Sequence, residues 1–107
     1  MTDRELLEAA AQAAGITFAW INNDGARKDR KPGILQPYVR WNPLTDDGDA
    51  LRLAVKLSLR VDAGYCGCAD VRGYMVDATE ALGHDACAAT RRAIVRAAAE
   101  IYFNKGN

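Results

Sequence analysis

Three groups of side chains in this sequence have the means to do chemistry. The first joins the carboxylates Asp46, Asp47 and Asp49 to the indole of Trp41 and the guanidinium groups of Arg91 and Arg92. Closely spaced carboxylates raise one another's affinity for cations and protons. An aromatic ring with arginines nearby is the usual platform for a base and its phosphates. Trp41, Asp46, Asp47, Arg91 and Arg92 are therefore candidate binding residues for a small nucleotide-like ligand, or for a hydrolytic pocket, with Trp20 and Arg40 able to extend the platform. The competing reading is structural: aspartates crowd helix starts because they accept from unpaired backbone N–H groups and complement the dipole. Capping accounts for all three acids, whose spacing lacks the Asp-x-Asp-x-Asp-Gly order of a calcium loop. Tryptophans in apolar runs more often fill a core or an interface.

The second group is Cys66, Cys68, His84 and Cys87. Structural zinc sites pair cysteines two to four residues apart and match them with a second pair. Cys-x-Cys followed by His-x-x-Cys fits that pattern loosely, so no metal is assigned. His84 is three residues before Cys87, within reach for a thiol and its base on one helical turn. No oxyanion signature accompanies them, and a helix-start histidine is the simpler reading, so no catalytic residue is assigned. The third group, Arg27, Lys28, Arg30 and Lys31, is a candidate nucleic-acid contact. It falls in a run of turn formers, Asn22 to Gly33, and reads most simply as the solvated tip of an exposed loop.

Composition narrows these options. Fourteen basic residues balance fourteen acidic ones, which removes the global electrostatic argument for a nucleic-acid binder. Little net charge also means little repulsion between copies, so a homodimer is expected. The 107 residues make a single domain that buries one core and needs no cofactor to fold. Charges at Asp3, Arg4 and Glu5 occupy the place of a signal peptide's apolar run, and three cysteines are too few for a disulfide framework. A soluble cytoplasmic protein is expected. There is no Gly-x-Gly-x-x-Gly or phosphate-loop pattern, which disfavours nucleotide hydrolysis.

Several elements must position these groups. Thr2 and Glu5 form a capping box, and Leu6, Leu7, Ala10, Ala13 and Ala14 recur at helical spacing up to Gly15, predicting a helix over residues 3–14. Alternation from Ile16 to Ile21 predicts a strand, and Ile34 to Trp41 is expected as either a short second strand, limited to an edge by Pro37, or an extended return. Thr45 to Asp49 opens a second helix, whose Leu51, Leu53, Ala54, Val55 and Leu57 predict a wide buried arc. Leu59 to Ala63 and Val71 to Asp77 read as two strands joined around Gly64 to Asp70. Asp85 caps a final helix over residues 86–103, with Ile94, Val95, Ala98 and Ile101 inward and Arg92, Arg96 and Glu100 toward water. The expected class is α+β: a small, mostly antiparallel sheet packed with three helices on one or both faces.

Residues 41–57, Trp-Asn-Pro-Leu-Thr-Asp-Asp-Gly-Asp-Ala-Leu-Arg-Leu-Ala-Val-Lys-Leu, and residues 88–101, Ala-Ala-Thr-Arg-Arg-Ala-Ile-Val-Arg-Ala-Ala-Ala-Glu-Ile, resemble the phage ABA-sandwich domain family. Thr2 to Leu7 resembles its first helix. The resemblance implies an α/β/α sandwich and a phage or prophage origin, hence a host bacterial cytoplasm. It brings no catalytic residues. The expectation for function is a non-enzymatic accessory protein that binds a host or viral macromolecule, with modulation of host defence as one such role. Individual activity is expected in loops, where binding surfaces are commonly carried.

Overall fold

A computed structural model describes residues 1–16, 19–20, 34–36, 39–65 and 67–105. The elements run α1 Asp3–Ala13, β1 Ala19–Trp20, β2 Ile34–Gln36, β3 Val39–Trp41, α2 Asp47–Lys56, β4 Arg60–Tyr65, β5 Cys68–Gly73, β6 Val76–Ala81 and α3 Ala86–Lys105. The α+β class, the three helices and the antiparallel pairing are those expected from the sequence. The strands form two antiparallel sheets, β1-β2-β3 and β4-β5-β6.

Local chemistry sets the helix ends. The Glu5 N–H donates to Thr2 Oγ1 at 3.2 Å, and the Thr2 N–H donates back to Glu5 Oε1 at 3.4 Å. At the other end of α1, Gly15 adopts φ +70°, and the Ile16 N–H reaches the Ala11 carbonyl at 2.9 Å. A residue in that left-handed region lets the chain turn back over the last carbonyls, and glycine does so without a Cβ clash. Asp46 caps α2, accepting from the Asp49 N–H at 2.8 Å, and Asp85 accepts from the Ala88 N–H at 3.0 Å at the start of α3.

Helix α3 is the centre of the molecule. It packs on β5 and β6 on one side, and α1 and α2 pack against it. Ala93, Ile94, Val95, Ala97, Ala98 and Ala99 are all buried, so this helix is apolar around most of its circumference rather than along one stripe. Leu6, Leu7, Ala10, Leu53, Ala54, Trp41, Val71 and Ala78 complete the core. Within β5 and β6 alternate residues are buried, with Ala69, Val71, Val76 and Ala78 inward. The opposite face carries Arg60, Asp62, Asp70, Arg72, Asp77 and Thr79.

Four expectations are corrected. Residues 34–41 form two short antiparallel strands rather than one, with Ile34 paired to Trp41. The stretch from Leu59 to Ala81 holds three strands rather than two: β5 begins at Cys68, after Gly67 at φ +75°, and a second tight turn at Tyr74 and Met75 divides β5 from β6. Met75 adopts φ +64° there, a position normally given to glycine or asparagine, and so the turn carries no ordinary turn signal. On α2 the buried residues are Ala50, Leu53 and Ala54, whereas Leu51 and Val55 are exposed. On α3, Arg96 is not simply solvated: it donates to the Thr79 carbonyl at 3.0 Å and pairs with Glu80. The predicted loop from Asn22 to Gly33 lies outside the described residues.

Candidate functional site

The start of α2 gathers most of the charged candidates. Asp49, only 7% exposed, accepts from the Asn42 N–H at 2.9 Å and from Arg52 at 2.8 Å. Arg91 reaches across from α3, donating through Nε to the Leu44 carbonyl at 2.9 Å and through Nη1 to Asp47 at 2.6 Å. Arg92 pairs with Asp3 in the first turn of α1 at 2.9 Å. Trp41 is 3% exposed and belongs to the core. Of the candidates named from the sequence, the structure joins Asp47 to Arg91, places Asp46 at the cap of α2 and buries Trp41. Asp46 caps, Asp47 and Arg91 tie two helices together, and the indole offers no face to a ligand. Among the described residues no buried side-chain polar atom lacks a hydrogen-bond partner.

Trp20 and Arg40 lie on β1 and β3, and Arg27, Lys28, Arg30 and Lys31 lie outside the described residues, as does Cys66. Cys68 opens β5, His84 is exposed before α3, and Cys87 is exposed in the first turn of α3. Among the described residues no three His, Cys, Asp or Glu side chains gather as metal ligands would.

A second charged arrangement, absent from the sequence reading, lies on the outer face of the β4-β5-β6 sheet. Asp70 accepts from Arg72 Nε at 2.9 Å and from Thr79 Oγ1 at 3.3 Å. Asp77 is diagonal to it, since Asp70 is opposite Thr79 and Arg72 opposite Asp77. A hydrogen bond between the two carboxyl groups splits their acidities: it holds Asp70 below the ordinary aspartate value of 3.8, helped by Arg72 and Thr79, and it raises Asp77, where burial and the Asp70 charge push the same way. Acid and base assignments begin from such split pairs. These two, however, stand on a sheet face that no element among the described residues closes off from water, and catalysis gains most of its electrostatic force in a closed site.

The third arrangement is a groove of about 730 Å³ where three chain segments end together. Lys56, Leu57 and Ser58 close α2, Tyr74, Met75 and Val76 form the β5–β6 turn, and Ile101, Asn104 and Lys105 close α3. Its size is within the range of roughly 300 to 1,000 Å³ typical of ligand pockets. Tyr74 and Met75 are 92% and 77% exposed, and Asn104 Nδ2 anchors the turn by donating to the Met75 carbonyl at 3.3 Å. Tyr102 and Phe103, stacked edge to face with ring centroids 5.4 Å apart, are exposed on the last turn of α3. Lys56 and Lys105 complement the negative ends of their helices. Of these residues the sequence pattern named only Leu57 and Ile101, and those as buried helix positions rather than as site residues. The available signal was an aromatic and a methionine at a turn, where small polar residues normally stand.

No helix among the described residues is long and apolar enough to cross a membrane. Comparison with protein-family models, with curated proteins and with solved structures returned no match.

Proposed function

We propose that this protein works by binding another macromolecule rather than by catalysis, and that the groove between the ends of α2 and α3 and the β5–β6 turn is its contact surface. One observation carries the reading. The charged side chains most suited to chemistry are engaged with each other at the α2 start, while at the groove Tyr74 and Met75 are left open to solvent. Exposed tyrosine and methionine are the residue types that anchor protein contacts: tyrosine for its large rigid area, methionine for its adaptability. The resemblance of residues 41–57 and 88–101 to phage ABA-sandwich proteins supports a host or viral partner, met in the bacterial cytoplasm, with modulation of host defence as one outcome.

The test is amine-reactive cross-linking in bacterial cells expressing the tagged protein, read by mass spectrometry. Lys56 and Lys105 flank the groove and report on it directly. The expected result is one partner joined through either lysine and lost in the Tyr74→Ser, Met75→Ser double variant. Capture undiminished in that variant, or no cross-link through either lysine, overturns the proposal.

A further inference from the structure

We infer that two copies of this chain join through their β4 strands, antiparallel about a two-fold axis at Val61, into one continuous six-stranded sheet. This goes beyond the binding role and does not depend on the groove.

The order β4-β5-β6 leaves this sheet with two edges. The other outermost strand, β6, is bridged to α3 by Arg96, which donates to the Thr79 carbonyl and pairs with Glu80. The β4 edge has no strand beside it among the described residues, and Arg60, Val61, Asp62, Ala63 and Gly64 are exposed. An open edge of this length without proline is a template for another strand.

The charges identify that strand. Inside the sheet Arg60 is opposite Arg72 and Asp62 opposite Asp70, and like charges directly opposite are unfavourable. Arg72 and Asp70 satisfy each other at 2.9 Å. Arg60 and Asp62 take no ion-pair partner among the described residues. Antiparallel pairing about Val61 supplies both: Arg60 meets the partner's Asp62, and Asp62 meets the partner's Arg60.

The same register works on the helix-facing side. Val61, 42% exposed, meets the partner's Val61, and Leu59 meets the partner's Ala63, so every opposed pair on that face is apolar. Ala63 also walls a hollow of about 310 Å³ beside Cys87 and Thr90, next to which the partner's Leu59 arrives. Other registers do less. An axis at Asp62 or Arg60 sets identical charges against each other, an axis at Leu59 or Ala63 leaves Arg60 and Asp62 without each other as strand partners, and an axis between residues sets inward side chains against outward ones.

The experiment is native mass spectrometry and sedimentation of the full chain across concentration, up to about 1 mM, the weak limit of specific pairing. The wild type is expected to be a dimer. Arg60→Asp and Asp62→Arg each convert two attractive pairs into two repulsive ones and should weaken the dimer by roughly tenfold or more. The double variant Arg60→Asp, Asp62→Arg rebuilds both pairs with signs exchanged and should restore it, an outcome confined to this register. Val61→Lys, at an exposed position, sets two ammonium groups on the axis and should give a folded monomer by circular dichroism. A monomeric wild type, as expected if the edge serves a strand of another protein, overturns the inference. So does a dimer insensitive to the single changes, or a folded double variant that stays monomeric.

Discussion

The two ends of α2 are built from the same helix and the same neighbour, α3, yet they are opposite in character. At the start, Asp46, Asp47, Asp49, Arg52 and Arg91 are joined by hydrogen bonds and ion pairs that fix where the helices meet. At the far end, Leu57, Tyr74, Met75 and Ile101 line a groove left open among the described residues. A charged group with its partners in place contributes to stability and has little left for a ligand, since a second partner would have to displace the first. An exposed apolar side chain has the reverse balance: it adds little to the fold and gains when something covers it. Substitutions at the start should therefore cost stability, and substitutions at the groove should cost binding alone.

The largest effect is expected at Asp49. Asp49→Ala strips the acceptor from the part-buried Asn42 N–H and from Arg52, at about 2–3 kcal/mol in urea denaturation. Asp49→Asn keeps an acceptor and should lose less. Arg91→Ala removes the bonds to the Leu44 carbonyl and Asp47; thermal melts should report about 1–2 kcal/mol, and Arg91→Lys should recover only part of it because ammonium lacks the fork that spans both acceptors. At the groove the sign changes. Met75→Gly relieves the side chain's left-handed backbone and should stabilise by about 0.5–1 kcal/mol, while still weakening partner capture. A groove variant that melted early, or an Asp49 variant as stable as wild type, would break the contrast.

A smaller effect should come from Asp77→Asn. The raised acidity constant of Asp77 means that the folded chain holds its proton more tightly than the unfolded chain does. Its contribution is present below 3.8 and is lost as pH climbs through the raised value. Asp70 runs the other way: its contribution is present above its ordinary value and is lost as pH falls through the depressed one. Asparagine keeps a donor toward Asp70 at every pH. Melting temperatures followed from about pH 3 to about pH 7 should thus show the wild type losing ground to Asp77→Asn as pH rises. Smallest of all, Tyr74→Ser should change stability by no more than about 0.5 kcal/mol, as for an ordinary surface change, and yet diminish cross-linking through Lys56 and Lys105.

Sequence reading succeeded where the determining contacts are local. Thr2 with Glu5, Gly15, Asp46 and Asp85 each act within a few residues of themselves, and each does in the structure what its type and position predict. It failed where partners come from far along the chain. Arg91 finds Asp47 across 44 residues and Arg92 finds Asp3 across 89, so their candidacy for a ligand could not be weighed against engagements that no spacing reveals. The groove is harder still, since its walls come from three segments and its turn is made by a methionine in a glycine's conformation. On α2, Leu51 and Val55 are apolar and exposed, which marks the difference between an apolar arc and a buried one.

The meeting of α1 with α3 is made largely of methyl groups: Ala10, Ala11, Ala93, Ala97 and Ala98 have no solvent exposure at all. Truncation, the usual way of damaging an interior, has little to remove from such a seam. Enlargement is the vulnerability, because each added carbon must push two helix backbones apart, at a typical cost of about 1–3 kcal/mol. Along this seam glycine or serine should therefore be better tolerated in place of alanine than any larger residue, and room for change should lie at the rim of the fold rather than in any slack inside it.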